Sequence, residues 1–358
     1  MSRARVEKPR SKKSAAIEVV TFGEILWDIY AEEATKRPTR DAKSKRTSQS
    51  FEGKLGGAPC NVAVHLARIG IRSAMVGGVG RDFLGDALLA AVKEEGVCTD
   101  WLFPKDQRTG VAFIKRSRSG EPTYLFYRSD SADLAFDAED AKRVDLAELS
   151  AEPKWWLFTT ATLARPSMEH ATWVLAEEAR AHGTNIVVDL NIRPNMFASK
   201  KLLLAKTEEL LSRADWVKGS EVDFERLGFR THREIQRWME RVAPSAILTI
   251  TASARPAITH ANDERIVEPS LKTKVVDATG GGDAFLAGML SVLCVSTRTQ
   301  QDPLNISGET WRRAMKWGQI MGAKTMTRVG ALAGTEDRDS LAEGFADVLM
   351  APIERNEG

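Results

Sequence analysis

The chain has 358 residues, of which 43% are hydrophobic and 28% charged, so it is long enough to bury a substantial core in one large domain or two smaller ones. Its formal net charge of +2 at pH 7 is too small to argue for a nucleic-acid partner. Three scattered cysteines do not suit a disulfide framework or a zinc cage, and the longest apolar stretch, Ala284 to Val295, is too short to cross a membrane.

These properties predict a soluble cytoplasmic protein without a nucleic-acid or membrane partner. Positive charge is concentrated in two stretches, Ser2–Ser14 and Thr35–Ser50, which are rich in Lys, Arg and Ser and have no apolar periodicity. Such composition is typical of mobile, solvated segments, and we favour this interpretation over anion or membrane-surface binding. We expect a basic disordered tail at residues 1–16 and one domain at residues 17–350.

From Ile17 onward, short β-branched runs alternate with longer segments of helical spacing. The strand-like runs are IEVVTFGEIL, SAMVGGV, WWLFTTA, NIVVDLN, DWVKG and AILTITA, and the helix-like ones include NVAVHLARIG, DALLAAVKEEG, MEHATWVLAEEARAHG and RRAMKWGQIMGAKTM. Alternating strands and helices predict βαβ units. The expected fold class is therefore α/β, with a central, mostly parallel sheet flanked by helices on both faces.

One region departs from this alternation. Gly110–Arg128 predicts two strands around an RSRSGEP turn, which is a hairpin and not a crossover. Together with a strand near Trp27–Tyr30 and the segment around Phe51, it predicts a small antiparallel flap beside the main sheet. This β-sheet lid would be built from segments of about 27–55 and 109–130.

Ligands of open α/β sheets bind outside the carboxyl ends of the strands, so we collected the polar residues that follow strand-like runs. They are Asp28, GGAPCN at Gly56–Asn61, DLNIRP at Asp189–Pro194, GSEVD at Gly219–Asp223 and DATGGGDAF at Asp277–Phe285. We expect these segments to converge on one site.

The GGAPCN segment has two interpretations. It is either a tight turn with Asn61 near a helix N-cap, where asparagine is favoured, or a ligand-binding turn. In the second case Gly56 and Gly57 let a polar ligand approach the main chain, and Asn61 hydrogen-bonds its hydroxyl groups.

The DATGGGDAF segment places three glycines, Gly280 to Gly282, directly before Asp283 at a predicted helix start. Free N–H groups at a helix start attract anions such as phosphate. An acid at the same place repels a resting phosphate unless it has a second task, such as accepting a proton from an attacking hydroxyl. The segment lacks the lysine of a G-x-x-x-x-G-K-[ST] loop, which disfavours that unrelated mechanism.

The segments GGAPCNVAVHLARIG and DATGGGDAFLAG resemble the two signatures of the ribokinase-like (PfkB) carbohydrate kinase family, and the resemblance extends from Ile17 to about Ala333. It implies one α/β domain with a β lid that transfers the γ-phosphoryl group of ATP to a sugar hydroxyl. In this resemblance the main-chain N–H groups of Gly280, Gly281 and Gly282 form an anion hole. Asp283 is the base that accepts the proton of the attacking hydroxyl.

The resemblance also implies a set of sugar contacts. Arg128 lies in a YR…SAD pattern, and DLNIRP contains Asn191 and Arg193; both resemble the fructokinase and 2-keto-3-deoxygluconate kinase branches. An arginine fork suits a carboxylate or several hydroxyls, with ion pairing as the alternative for either arginine. The candidate sugar-binding residues are Asp28, Gly56, Gly57, Asn61, Arg128, Asn191 and Arg193.

On the nucleotide side, the resemblance implies Mg²⁺ with ATP as co-substrate and leaves a monovalent cation and a homodimer open. The N-x-x-E pattern, which helps to hold the Mg²⁺ water shell, is replaced by Ser220-Glu221-Val222-Asp223. The T-x-G-x-x-G pattern is replaced by TITASA, with Thr251 and Ala254 in place of both glycines. Their Cβ atoms cost affinity if the main chain needs positive φ or packs against the nucleotide, so we expect weak ATP binding. The candidate residues are Ser220, Thr249, Thr251 and Thr279 for nucleotide and Asp223 for the metal.

We therefore predict an ATP- and Mg²⁺-dependent sugar kinase of the fructokinase-like branch that acts on a ketohexose such as fructose. Asp28 would repel a substrate carboxylate, which favours a neutral ketose. Arg128 and Arg193 instead favour an acid, so a kinase for 2-keto-3-deoxygluconate-type sugar acids is one alternative. A kinase-derived sugar-binding or regulatory protein with weak turnover is the other, because the nucleotide motifs are altered.

Overall fold

The computed structural model describes residues 16–31, 50–116, 122–146, 154–298 and 303–351. Both basic stretches lie outside these ranges except for Ser50, and the expected tail lies outside them except for Ala16.

The described ranges contain thirteen strands and ten α-helices. The strands are β1 (Val19–Phe22), β2 (Leu26–Ala31), β3 (Phe51–Gly56), β4 (Ser73–Gly80), β5 (Cys98–Lys105), β6 (Val111–Arg116), β7 (Pro122–Tyr127), β8 (Trp155–Thr159), β9 (Asn185–Asp189), β10 (Trp216–Ser220), β11 (Ile247–Ala252), β12 (Arg255–Ala261) and β13 (Glu264–Glu268). The helices are α1 (Ala58–Arg68), α2 (Phe83–Glu94), α3 (Ala138–Ala141), α4 (Pro166–Ala181), α5 (Lys200–Leu211), α6 (Glu221–Leu227), α7 (His232–Val242), α8 (Gly281–Ser296), α9 (Gly308–Thr325) and α10 (Arg338–Met350).

The larger sheet has nine strands in the order β13-β12-β11-β10-β9-β8-β1-β4-β5. Neighbours from β11 to β5 are parallel, whereas β12 and β13 add an antiparallel edge beside β11. The predicted mostly parallel sheet is confirmed. The sequence patterns missed β5, β12 and β13, which lie at the two ends of the sheet, where polar residues interrupt the apolar runs.

Helices cover both faces of this sheet. Trp156 and Val188 point to a core that includes residues of α4, α5, α6 and α7. Their chain neighbours Trp155 and Val187 point the other way, to a core that includes residues of α1, α8, α9 and α10. Successive side chains of a strand face opposite sides, so a strand that is apolar throughout is buried on both faces.

The longest apolar stretch of the sequence forms most of α8. This helix is buried from Ala284 to Cys294 and contacts α9 and α1, as expected for a helix that is apolar on every side. No helix in the described ranges is long and apolar enough to cross a membrane.

The smaller sheet has four strands in the order β3-β2-β6-β7. The predicted hairpin of β6 and β7 is confirmed. The expectation of a wholly antiparallel flap is wrong, because β2 and β6 run parallel. The chain reaches β6 only after passing through β4 and β5 of the larger sheet, and such a long crossover allows parallel pairing where a hairpin does not. Its action as a lid stays a prediction.

Candidate active site

A cavity of about 580 Å³ lies between the two sheets, at the carboxyl ends of β9 and β10 and beside the start of α8. The polar segments collected from the sequence converge there. The candidate residues that line it are Asp28, Gly57, Asn61, Asn191, Arg193, Ser220, Asp223, Thr251, Thr279, Gly280, Gly282 and Asp283. Four other candidates, Gly56, Arg128, Thr249 and Gly281, are not among its lining residues.

The start of α8 has the geometry expected of an anion-binding helix end. Gly280 is the N-cap with φ +74°, and no side chain caps the helix. A Cβ atom at Gly280 would lie 2.4 Å from the carbonyl oxygen of Ala331, so only glycine fits this turn. The first N–H groups of a helix have no acceptor within it. Apart from the N–H of Gly281, which donates to the carbonyl oxygen of Ala278 over 3.4 Å, they are therefore available to an anion in the cavity, next to Asp283 in the same turn.

Asp283 is oriented by Asn61. The Nδ2 amide of Asn61 donates to Oδ2 of Asp283 over 2.8 Å. Burial raises the pKa of Asp283 to about 6, and Asp189 adds to the rise, while Asn61, Lys218 and Arg193 oppose it. This carboxylate is therefore ionised at neutral pH and more basic than an exposed aspartate.

The N-cap interpretation of Asn61 is wrong. Gly57 is the N-cap of α1, and Asn61 lies inside the helix. Gly57 has φ +101°, and a Cβ atom there would lie 2.3 Å from the carbonyl oxygen of Glu24. The turn thus needs glycine, and it leaves Asn61 facing the cavity. Oδ1 of Asn61 is buried without a hydrogen-bond partner among the described residues, so it can accept from a ligand hydroxyl.

Asp28 lies in β2, on the side of the smaller sheet that faces the cavity. Burial, together with the nearby carboxylates of Glu24 and Asp283, raises its pKa well above the usual range. Gly56, paired with Leu26 at the end of β3, lies directly against this side chain, since a Cβ atom there would overlap the Asp28 carboxyl group.

Arg128 is not a cavity residue, although it was a candidate sugar ligand. Its guanidinium is buried and forms ion pairs with Glu24 and Asp133. Glu24 does line the cavity. Burial alone would raise the pKa of Glu24, but Arg128, Arg193 and the N–H of Ala58 together lower it below its usual value. Arg128 thus stabilises the ionised form of Glu24 from outside the cavity. Glu24 lies in the GEILWD segment beside Asp28, so its place in the sequence could have marked it as a site residue.

Thr249 is also absent from the cavity. It is wholly buried in β11, where its hydroxyl oxygen accepts from the Nε1–H of Trp216 and its hydroxyl group hydrogen-bonds to that of Thr259. Thr251 lies on the same face of β11, two residues nearer the carboxyl end, and reaches the cavity. Position along the strand therefore separates the two threonines.

The altered nucleotide motif is not strained. Thr251 ends the part of β11 that pairs with Ser220, and Ala254 is exposed in the turn before β12. Neither has positive φ, so that part of the sequence hypothesis is wrong. What remains of it is the added Cβ and hydroxyl of Thr251 at the cavity wall.

Two buried residues of opposite charge, to which the sequence motifs gave no role, form an ion pair in the cavity wall. Lys218 of β10 lies opposite Asp189 of β9, with Nζ 3.1 Å from both carboxylate oxygens. Burial alone would lower the pKa of Lys218, but Asp189, Asp223 and Asp283 raise it, so the lysine stays charged. The sequence contained an indication of this pair, because a lysine inside the apolar run DWVKG is rarely buried without a partner of opposite charge.

Asp277 organises the turn before the glycines. Its Oδ1 accepts from the main-chain N–H and the hydroxyl of Thr279, and its Oδ2 accepts from the N–H of Gly330. The hydroxyl of Thr279 is thus engaged by the protein itself. Asp277 was quoted in the motif but not assigned a role, because its second partner lies 53 residues away.

The role expected of Asp223, in the Mg²⁺ water shell, stays a prediction, but its carboxylate is largely engaged by the protein itself. Its carboxylate already accepts from the N–H of Ile192 and from both the N–H and the hydroxyl of Ser220. Ser220 and Asp223 form a capping box at the start of α6. Within the described residues, no group of three or more His, Cys, Asp or Glu side chains is placed to hold a metal ion.

The chain is similar to known sugar kinases along most of its length. Fructokinase-1 of Oryza sativa subsp. japonica is 31% identical over 317 residues, which cover 88% of this chain and 93% of the relative. The structure of a fructokinase from Xylella fastidiosa with bound ATP matches with a TM-score of 0.76 at 25% identity, over 92% of this chain and 99% of the other.

A double mutant of the Vibrio cholerae O395 fructokinase, solved with fructose, ADP and potassium ion, has a TM-score of 0.77 at 24% identity. The match covers 92% of this chain and 99% of that structure, and it supports the fold. The profile of the pfkB family carbohydrate kinases matches residues 16–338. The chain therefore belongs to the pfkB family of carbohydrate kinases, enzymes that transfer a phosphoryl group to an alcohol group of a sugar.

Proposed function

We propose that this carbohydrate kinase transfers the γ-phosphoryl group of ATP to a hydroxyl group of a neutral ketohexose such as fructose. The observation that carries the proposal is the hydrogen bond from Asn61 to Asp283 at the start of α8, in the cavity that Asp28 also lines. It brings a base, an anion-binding helix end and a hydroxyl-binding wall into one space.

The chemistry follows from this arrangement. Asn61 uses Oδ2 of Asp283, so Oδ1 is available to accept the proton of a sugar hydroxyl. The sugar oxygen then bonds to the γ-phosphorus as the bond from phosphorus to the β-phosphate oxygen breaks, and ADP leaves. The N–H groups of Gly280 and Gly282, both of which line the cavity, stabilise charge on the phosphoryl group during transfer. The pKa of Asp283, about 6, lets it act as a base at neutral pH.

Charge in the cavity favours a neutral substrate. Five carboxylate side chains line it against three cationic ones, and burial with neighbouring carboxylates already raises the pKa of Asp28. A substrate carboxylate near Asp28 would be repelled by its ionised form or would require Asp28 to be protonated, and either one costs binding free energy. The position of Arg128 outside the cavity also removes one of the two arginines that favoured a sugar acid.

Arg193 keeps the second candidate function, a kinase for 2-keto-3-deoxygluconate-type acids, worth testing. It lines the cavity, and its described side-chain hydrogen bond is a long one of 3.4 Å to the carbonyl oxygen of Ile192. An arginine in this position can bind a carboxylate.

Weak nucleotide use is the third candidate, and it would make the protein chiefly a sugar-binding regulator. Thr251 places a side chain in the cavity wall where the family pattern has glycine.

We propose that ATP binds together with Mg²⁺ supplied by the nucleotide, since Asp223 is already hydrogen-bonded, and that a monovalent cation supports activity. The relative solved with ADP and potassium ion motivates the second point.

The test is a coupled ADP-release screen with fructose, ribose, tagatose and 2-keto-3-deoxygluconate, in ATP and Mg²⁺ with and without potassium. We expect the highest kcat/KM for a ketohexose. A higher value for 2-keto-3-deoxygluconate would make the enzyme a sugar acid kinase. The absence of ADP release with all four, at saturating ATP, would leave the regulatory function. Asp283→Asn run in parallel identifies contaminating kinase activity.

We also propose a cytoplasmic location and a homodimer. Cys60, Cys98 and Cys294 are free thiols, which suits a reducing compartment. Fluorescence localisation of the tagged full chain and light scattering of the purified protein test the two points separately.

A further inference from the structure

We propose that Asp223 and Arg226 clamp the main chain of Ile192, and that Asp223 is thereby a positioning residue for sugar recognition. The clamp would hold Asn191 and Arg193 in the cavity. The choice of sugar as the ligand rests on the proposed function, whereas the clamp itself does not.

Both polar groups of Ile192 are held by α6. Its N–H donates to Oδ1 of Asp223 over 2.8 Å. Its carbonyl oxygen accepts from Nη1 of Arg226, also over 2.8 Å. Asp223 and Arg226 are three residues apart in one helix, so they lie on the same side of it. α6 therefore binds the loop after β9 through both main-chain polar groups of one residue.

The residue before Ile192 has an unusual backbone conformation. Asn191 has φ +37°, and it is one of three residues other than glycine with positive φ in the described ranges. Such conformations persist where the surrounding structure over-determines them, and they cluster at ligand sites. Here the N–H of Leu190 donates to the carbonyl oxygen of Lys218 over 2.9 Å. Asn191 is thus fixed on one side by β10 and on the other by α6.

Asp223 is itself rigidly held. It is 6% exposed, and its Oδ2 accepts from both the N–H and the hydroxyl of Ser220. The N–H of Asp223 donates back to the Ser220 hydroxyl over 3.2 Å. With three donors to one carboxylate, the geometry ties the side chain to the helix start and to the loop. A glutamate, longer by one methylene, cannot reach the same donors unless α6 or the loop moves.

The clamp has a direct consequence for the cavity wall. Asn191, Ile192 and Arg193 all line the cavity, so the loop presents three consecutive residues to a ligand. Releasing Ile192 would let Asn191 relax to an ordinary conformation and would turn Arg193 away from its present position. A metal-binding role for Asp223 predicts an altered Mg²⁺ requirement with unchanged sugar affinity. The clamp predicts weaker sugar binding with an unchanged Mg²⁺ requirement.

The first test measures the clamp without any ligand. Hydrogen exchange of the Ile192 amide is followed in the wild type and in Asp223→Ala, Asp223→Glu and Arg226→Met, with Arg237→Met on the exposed face of α7 as the matched control. We expect protection of this amide to fall at least about tenfold in the three site variants and to be unchanged in the control. Unchanged protection in both Asp223→Glu and Arg226→Met overturns the clamp. If Asp223→Ala does not fold, these two variants still decide the question.

The second test separates positioning from metal binding. Calorimetry measures the Kd of the sugar selected by the ADP-release screen, without nucleotide or metal. We expect Asp223→Glu and Arg226→Met each to raise this Kd about tenfold or more, with KM for the sugar rising in parallel. The Mg²⁺ concentration that gives half-maximal rate should not change. Wild-type sugar affinity in Asp223→Glu, with an altered Mg²⁺ requirement, overturns positioning in favour of metal binding. If the wild type binds no sugar while the Ile192 amide is protected, the proposed function fails and the clamp stands.

Discussion

Nδ2 of Asn61 lies 2.8 Å from Oδ2 of Asp283, across a sequence separation of 222 residues. This single hydrogen bond joins the starts of α1 and α8, the two segments with the most distinctive glycine patterns. It sets which oxygen of Asp283 remains free for a ligand. The site is therefore assembled from two helix starts that contact one another through the Asp283 carboxylate.

Replacing Asp283 with Asn keeps the shape of the side chain and removes the base. We expect turnover to fall by roughly 10²–10⁴, the range for loss of a general base. Sugar binding should survive, because Asn61 and Asp28 are unchanged. Steady-state kinetics and calorimetry of the sugar measure the two quantities, and near-wild-type turnover would show that Asp283 is not the base.

Activity should be lost at acid pH with the protonation of Asp283. Its pKa of about 6 means that the ionised, active form dominates above this pH and declines below it. The N–H of Asn61 favours the ionised form, so Asn61→Leu should move the acid limb of kcat/KM to higher pH. A pH-rate profile of both proteins measures the limb. A profile that moves to lower pH in Asn61→Leu contradicts the assigned hydrogen bond.

Alanine should be tolerated at one glycine of the triplet and not at its neighbour. At Gly280 a Cβ atom meets main-chain atoms of Ala331, and the left-handed φ costs roughly 1–2 kcal/mol in addition. At Gly281 the three atoms nearest to the Cβ atom all belong to the flexible side chain of Met326, the first at 3.0 Å. We expect Gly280→Ala to lose both stability and turnover and Gly281→Ala to keep both. Denaturant unfolding and the ADP-release assay check this, and equal behaviour of the two variants would refute the anion-hole geometry.

Removing Arg128 should destabilise the protein strongly. Arg128→Met leaves the carboxylates of Glu24 and Asp133 buried without their cation, which typically costs 3–5 kcal/mol, so we expect a loss of about that size. The matched control is Arg81→Met, whose ion pair with Asp106 is 61% and 84% exposed. The control should cost less than about 1 kcal/mol. Urea unfolding distinguishes them, and a loss in Arg128→Met no larger than in the control would mean that the buried pairs are not formed.

Restoring glycine at position 251 should tighten ATP binding modestly. Thr251 has ordinary φ, so the gain comes only from the removed side chain, and we expect less than about a tenfold fall in Kd, or about 1.4 kcal/mol. Ala254→Gly, in an exposed turn, is the control and should leave the Kd unchanged. Calorimetric titration of ATP with Mg²⁺ gives both values. Low-micromolar affinity in the unmodified protein would show that TITASA does not weaken nucleotide binding.

The fold class and the core of the site could be predicted from local sequence patterns. Apolar runs such as WWLFT and NIVVD, buried on both faces, are sufficient to predict central parallel strands. The start of α8 at the glycine triplet, with Asp283 in its first turn, also follows from local chemistry. These features depend on residues within a few positions of one another, so a local sequence pattern is enough to predict them.

Tertiary structure alone decided which candidates line the cavity. Arg128 and Thr249 carry the right chemistry, yet Arg128 turns toward Glu24, 104 residues away, and Thr249 is covered by Trp216 and Thr259. Lys218 acquires its role only because β9 lies beside β10 and places Asp189 opposite it. A side chain at the end of a strand reaches the cavity, the core or a buried partner according to what the neighbouring elements place against it. That depends on contacts between segments far apart in sequence, which no local pattern contains.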